Sequence, residues 1–541
     1  MSISVTYVDS PIGAQLDAVA TATTAQPFGN AEQITKGTQD KPWASLEKNS
    51  WSLDGSRRLL KDKVQDVGWW SENKTDNNGR FSEPPVITLS FTQPYTATGI
   101  TFVFWPSLNL WCNDITVTWY NGDEVLTTKN AEPDNVRWVL EETVESFDKI
   151  EIKLLGTNLP GQFAKIQQVI IGHTVFFLQD ELVKVSLLNE VDPSLCELST
   201  DTMKVEIFAK EGRKLFPQEN QIMYLHRDGE QIAAQYITDY SLESGSYYTF
   251  NCQSAIGCLE DVFLGGIYNG YYVDTLLKKV LDGISANWKP FEKKTVTGYL
   301  PACSRREALQ QIAFAIGAVV TTQGDGTIRL VELPKTIEAE FTENDVFTGA
   351  KINSHARIAT VQIVAHSYKA ISDEENLIKD EEIIGENVLF VFDEPHHSYE
   401  ITGGTIEESG YNWVKITAEG KVTLTGKKYL HSTYVKKKEN RYATATEKNN
   451  IISVENATLI HSGNVEEALI RLYDFNMLNK ELEQGVIVTG QKTGQMTKSV
   501  APIGQTIEGY ITSMNNEFTN TGHTADIKIR GKETIDDTID N

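Results

Sequence analysis

The chain has 541 residues, 40% of them apolar, enough for roughly three or four domains of about 150 residues with ordinary cores. Acidic residues outnumber basic ones 74 to 49, and the formal net charge of −25 argues against tight nucleic-acid binding while allowing a surface past which nucleic acid slides without sticking. No apolar run nears 18 residues, no basic-then-apolar signal segment opens the chain, and the five cysteines are scattered, so a soluble, reduced protein without disulfides or a transmembrane segment is expected.

In chain order, residues 1–40 read as an N-terminal arm. Eight of the ten tryptophans then fall between Trp43 and Trp138. That region holds ITLSFTQPYTATGITFVFWP, NDITVTWYNGDEV and VRWVLEETVESFDKIEIKLLG, alternating segments parted by Asn-Gly, Asp-Glu and Gly turns. The pattern predicts a β-sandwich over 41–178. Trp105 and Trp111, in the loop FWPSLNLWCND, are the candidate carbohydrate platforms. The competing assignment is that these rings fill a small β core. Asp76-Asn-Asn-Gly79 reads as an ordinary turn before it reads as a calcium loop.

Strands alternate again over 179–256, with Arg227-Asp228-Gly229 as a hairpin turn. A helix–hairpin α/β domain is expected over 257–337. Its first helix is the amphipathic YYVDTLLKKVLDGI (271–284). Its second begins at Ser304 with Glu307 three residues on, a capping box, and ends at Gly317. Strands 318–322 and 327–332 follow, joined by Gln323-Gly324-Asp325-Gly326. A second small β-domain is expected from 338–372 with 481–533, around a β-rich insertion at 373–480 that ends in a helix capped by Asn464 and Glu467. Residues 534–541 form an acidic tail. IAAQYITDYSLESGSYYTF (232–250) and IEGYITSMNNEFTNTGHTADI (507–527) share Tyr-Ile-Thr, a polar loop and an alternating strand, which points to a duplicated β-domain.

Two resemblances follow. Residues 41–175 resemble discoidin-type (F5/8 type C, galactose-binding-like) jelly rolls through Asn49…Trp51-Ser-Leu-Asp-Gly55, Gly68-Trp69-Trp70-Ser71 and Gly99-Ile100-Thr101-Phe102. Residues 180–533 resemble the hub proteins of phage tail tips and baseplates. The matching features are Asp239…Tyr248, Asp261-Val-Phe-Leu-Gly-Gly-Ile-Tyr268, GYLP…SRREALQQIAFAIGA and Gly509-Tyr510-Ile511, in that order. The second resemblance implies a mainly β fold, an N-terminal jelly-roll sandwich followed by two related tube-type β-barrel domains with α/β insertions. It further implies a homotrimer in the virion, assembled in the host cytoplasm, that meets a hexamer of tail-tube or distal tail protein, the tape measure protein and tip spike or fibre proteins. The discoidin resemblance adds host cell-wall glycan as a candidate ligand. Many such hubs extend into a fibre or a peptidoglycan-cleaving domain; here the residues after the second barrel are few, and neither is expected.

Catalytic chemistry finds little support. His396-His397 stand together beside Asp393 and Glu394, but neighbours in an extended strand point to opposite faces. No HExxH, GxSxG or phosphate-loop run occurs. The expectation is therefore no enzyme, no catalytic residues, no metal, no cofactor and no sequence-specific nucleic-acid binding. The alternative function is a secreted or surface glycan-binding or glycan-cleaving multi-domain β protein.

Overall fold

The computed structural model describes residues 3–26, 31–35, 68–105, 109–209, 215, 217–243, 246–501, 504–518 and 523–534. The Asn49…Gly55 run and all but the first residue of the 534–541 tail lie outside them.

Strand β1 (Ile3–Asp9) turns Ile3, Val5 and Tyr7 to one face, the period-2 signature of a half-buried strand. The chain then enters the sandwich, whose six-stranded sheet is built on β2 (Val86–Val103) and β3 (Arg137–Gly156). A two-stranded sheet of Trp69–Lys74 and Phe163–Ile166 supplies Trp69, Ala164 and Ile166 to the same core as Ile87 and Ile150. The chain returns as β4 (His173–Phe177), antiparallel to β1 from Asp9↔His173 to Val5↔Phe177. The sandwich is thus inserted between two paired strands. The expected arm over 1–40 gives way, because β1 supplies apolar side chains to the next domain's core, and the 41–178 boundary moves with it.

That junction is polar and buried. The Asp9 carboxyl lies between the hydroxyls of Thr98, from the sandwich, and Tyr7, from β1. Burial raises the carboxyl's pKa. Gly172 has φ +107°, and a Cβ there would sit 1.9 Å from the Asp9 carbonyl oxygen, so only glycine fits.

The first β-domain adds β5 (Leu182–Glu190), β6 (Thr202–Phe208), β7 (Ile222–Arg227), β8 (Glu230–Glu243) and β9 (Tyr247–Gln253). Its pairing order is β4-β1-β7-β8-β9-β6-β5. All seven strands send side chains into one cluster, among them Tyr7, Phe177, Leu187, Val205, Leu225, Ile237 and Phe250. The sheet therefore curls around its own core. Asp228 and Gly229, both at positive φ, make the expected tight β7–β8 turn.

Next come α1 (Val273–Val280), α2 (Arg305–Ile316), β10 (Val319–Thr321) and β11 (Ile328–Val331). The capping box forms as the sequence predicts: Glu307 N donates to Ser304 Oγ, and the Glu307 carboxylate accepts from Ser304 N. At the other end, Gly317 closes α2 at φ +78°, and Arg471 Nη2 donates to Phe314 O at 2.6 Å, meeting an orphan carbonyl of the last turn.

The second β-domain begins with β12 (Ala339–Phe341) and β13 (Lys351–Ser354). It is interrupted by a long antiparallel ribbon, β14 (Thr360–Val391) with β15 (Trp413–Glu439), and by α3 (Val465–Asn476). It resumes with β16 (Lys480–Ile487), β17 (Met496–Val500), β18 (Thr506–Phe518) and β19 (His523–Thr534). Two expected boundaries shift. Residues 360–372 belong to the insertion, because β14 runs on unbroken from Thr360. Asn464 makes no capping box: its Oδ1 accepts from His461 N, and its amide nitrogen donates to Leu459 O and Ala315 O.

The two β-domains share one topology. In chain order, β5, β6, β7, β8 and β9 pair as β5-β6-β9-β8-β7. Likewise β13, β16, β17, β18 and β19 pair as β13-β16-β19-β18-β17. Every one of these pairs is antiparallel. The expected duplication is therefore present in the fold.

Candidate functional site

The shared Tyr-Ile-Thr falls on equivalent strands, β8 and β18, and explains itself there. Tyr236 lies opposite Ile222, and Tyr510 opposite Met496. One residue on, Ile237 and Ile511 enter their respective cores. The register then slips at Thr238 in one strand and Thr512 in the other, a bulge at the same place. Even the preceding loops match. Gln218 N donates to Gln221 Oε1 at 2.7 Å, and Lys492 N to Gln495 Oε1 at 2.8 Å. Asn220 N donates to Ile237 O, and Gly494 N to Ile511 O, both from residues at positive φ.

The domains are fused edge to edge. β5 pairs antiparallel with the outer half of β18, from Ser186↔Glu517 to Glu190↔Ser513, so one sheet of 13 strands runs through both. β18 is long enough for this because β17 covers only Thr506–Tyr510. A partly buried polar relay crosses the seam. Arg227 Nη1 stands 2.6 Å from His523 Nδ1, so that nitrogen accepts, and Nε2 faces Asn516 Oδ1 at 2.9 Å. Asn516 Nδ2 donates to Leu187 O at 3.0 Å and Asn189 Oδ1 at 3.1 Å. Burial and the Arg227 charge lower the imidazole pKa to about 4, so His523 is neutral at pH 7.

The helices and the β10–β11 hairpin hold this assembly from behind. One apolar cluster joins Leu276, Leu309, Ile312 and Leu330 to Val361 and Ile363 at the root of the ribbon and to Leu469 of α3. Asp201, at the start of β6, accepts from Thr322 Oγ1 at 2.9 Å and from Glu190 N at 3.0 Å, tying the hairpin to the first β-domain next to the seam. Arg306 Nη2 donates to Leu198 O.

The two expected carbohydrate residues take different positions. Trp105 is only 3% exposed, packed edge-on against Trp70 at 5.4 Å, with Lys165 Nζ 5.5 Å from its ring. Trp111 is half-buried, and its backbone N–H donates to Asn158 Oδ1 at 3.0 Å. His396 is enclosed, with Nδ1 3.0 Å from Glu394 O and Nε2 3.4 Å from Glu375 Oε2. Among the described residues, no group of three or more His, Cys, Asp or Glu is placed to hold a metal. Burial pushes the Cys252 and Cys303 thiols up to about 12, away from nucleophilic reactivity.

No family model matches the chain, and no curated protein matches it. Among solved structures, it is similar to the 43 kDa tail protein of prophage MuSo2 from Shewanella oneidensis, at 12% identity over 66% of this chain and 95% of that one, with a TM-score of 0.39. A tail protein from Neisseria meningitidis MC58 is similar at 10% identity, 66% and 94% coverage and a TM-score of 0.40. The family 32 CBM of C. perfringens NanJ, solved in complex with galactose, is similar at 13% identity, 32% and 99% coverage and a TM-score of 0.20.

Proposed function

We propose that this chain is a structural virion protein, the homotrimeric hub of a phage tail tip or baseplate. It joins a six-fold tail tube to a three-fold tip and lines the channel through which DNA passes. The observation that carries the reading is the pair of equivalent β-domains joined edge to edge within one chain. Three such chains present six alike domains, which reconciles three-fold and six-fold symmetry without a second protein. The net charge of −25 suits a channel that must not trap DNA. In this reading α2 and its hairpin are a brace that fixes the angle between neighbouring β-domains. The partners are the tail-tube or distal tail protein hexamer, the tape measure protein and the tip spike or fibre proteins. The role is architectural and not enzymatic.

For the sandwich, glycan binding is proposed at the loop end that carries Trp111. Its insertion through two chain connections holds it firmly to the first β-domain, as a host-facing decoration on a rigid hub requires.

The test is the number of chains per particle in the purified protein, with a low-resolution image of it. Three chains around a central pore support the hub. A monodisperse monomer that cleaves glycans favours the glycan-active alternative.

A further inference from the structure

The duplication leaves one position filled in one domain and vacant in the other. β5 closes the outer edge of β18. The same edge of β8, Asp239–Glu243, has no pairing strand among the described residues. Burial records the difference. Through the matched bulges, Tyr240 corresponds to Met514 and Leu242 to Asn516. Met514 and Asn516 are 2% and 4% exposed, whereas Tyr240 and Leu242 are 45% and 49% exposed. Both tyrosine and leucine lie opposite inward-facing residues of β9, Phe250 and Tyr248. By register they stand at inward positions, left exposed where no strand covers them among the described residues.

The strand that would cover them also has one open edge among the described residues. β13 is the counterpart of β5, since Ile352 opposes Leu482 as Leu187 opposes Met203. β5 pairs on both sides, with β6 and β18, whereas β13 pairs among the described residues only with β16.

We infer that β13 of one copy adds antiparallel to the outer half of β8 in the next copy, repeating between chains the seam that β5 and β18 make within one. The register follows from the equivalences: Lys351 opposite Glu243, Ile352 opposite Leu242, Asn353 opposite Ser241 and Ser354 opposite Tyr240. The chemistry agrees at one end of the match. Glu517, the counterpart of Glu243, pairs with Lys184 at 3.7 Å in the closed seam. Lys351 and Glu243 have no ion pair among the described residues and bring opposite charges together. Ile352 covers Leu242, and the added strand satisfies the free N–H and C=O groups of both edges. With every second domain docking on the next first domain, three copies close a ring of six. This inference rests on the three-copy reading above.

Cross-linking of the full chain tests it. In the double variant Leu242→Cys with Ile352→Cys, mild oxidation is expected to give dimers and covalent trimers on a non-reducing gel, collapsing to monomer on reduction. The single variants, and Leu242→Cys with Asn353→Cys, whose side chains face apart, are expected to stay largely monomeric. Charge reversal is an independent check: Lys351→Glu or Glu243→Lys weakens association by about fivefold or more per seam, and the double reversal restores it. A particle of three chains with neither the cross-link nor the charge rescue overturns this seam and leaves the trimer standing. A chain that stays monomeric at every concentration overturns both.

Discussion

Thr238 and Thr512 occupy the same bulge in two copies of one fold: Thr238 Oγ1 donates to Asn251 O at 3.0 Å, and Thr512 Oγ1 to Lys528 O at 3.2 Å. The hydroxyl meets a carbonyl beside the register slip, which is why the third residue of the shared tripeptide is threonine in both. Thr238→Val and Thr512→Val are therefore each expected to cost about 1 kcal/mol, and because they act in different domains their effects should add. Urea unfolding of the single and double variants measures this. Unequal costs, one near zero, would mean that the bulges are not equivalent.

Gly172 makes the turn where the sandwich rejoins the first β-domain. Gly172→Ala places a methyl against the Asp9 carbonyl, a rigid backbone neighbour, at a φ that side chains rarely adopt. The expected loss is on the order of 2–4 kcal/mol. Gly229→Ala is the control, with nothing within 4 Å of the new atom, and is expected to cost only the conformational term of about 1 kcal/mol. Thermal melts of the two variants separate these costs.

His523 makes the seam sensitive to acid. Its pKa is about 4 in the folded chain against 6.5 when free, so between those values the unfolded chain binds a proton that the folded chain refuses. Stability from this group is therefore intact above about pH 6.5 and is lost as pH falls towards 4, levelling off below. His523→Gln is expected to flatten the pH–stability curve in that window relative to wild type. An unchanged slope would show that the imidazole is not held neutral by its burial and the Arg227 charge.

The tryptophans separate stability from binding. Trp105→Ala empties an enclosed site and is expected to destabilise the sandwich by about 3–5 kcal/mol. Trp111→Ala is expected to leave the melting temperature closer to wild type and to weaken retention on host cell-wall glycans. Retention on immobilised wall material reads this out, and a wild-type chain that is not retained removes the glycan proposal.

How much of this was legible in the sequence depends on the range of the interactions. The α2 capping box and the Asp228-Gly229 turn were readable because each is decided within four residues. The duplication showed through one tripeptide because a bulge ties residue identity to backbone geometry. Asn464 misled, since its side chain is engaged by carbonyls including that of Ala315, far away in sequence. The role of β1 was hidden for the same reason: its partner Met223 lies in a distant strand. The seam left a single trace, Asn516 at an inward position of an alternating strand, where a buried amide needs partners that no local pattern names. Whether Trp105 faces in or out is set by Trp70 and Lys165, contacts made across the sandwich end.

The central claim is that two alike β-domains per chain let three chains build a six-fold face. Sedimentation equilibrium of the purified full-length chain, across a wide concentration range, tests it most directly. The account predicts a single species of three chains. A stable monomer, or a dimer that closes without an open β8 edge, would contradict it.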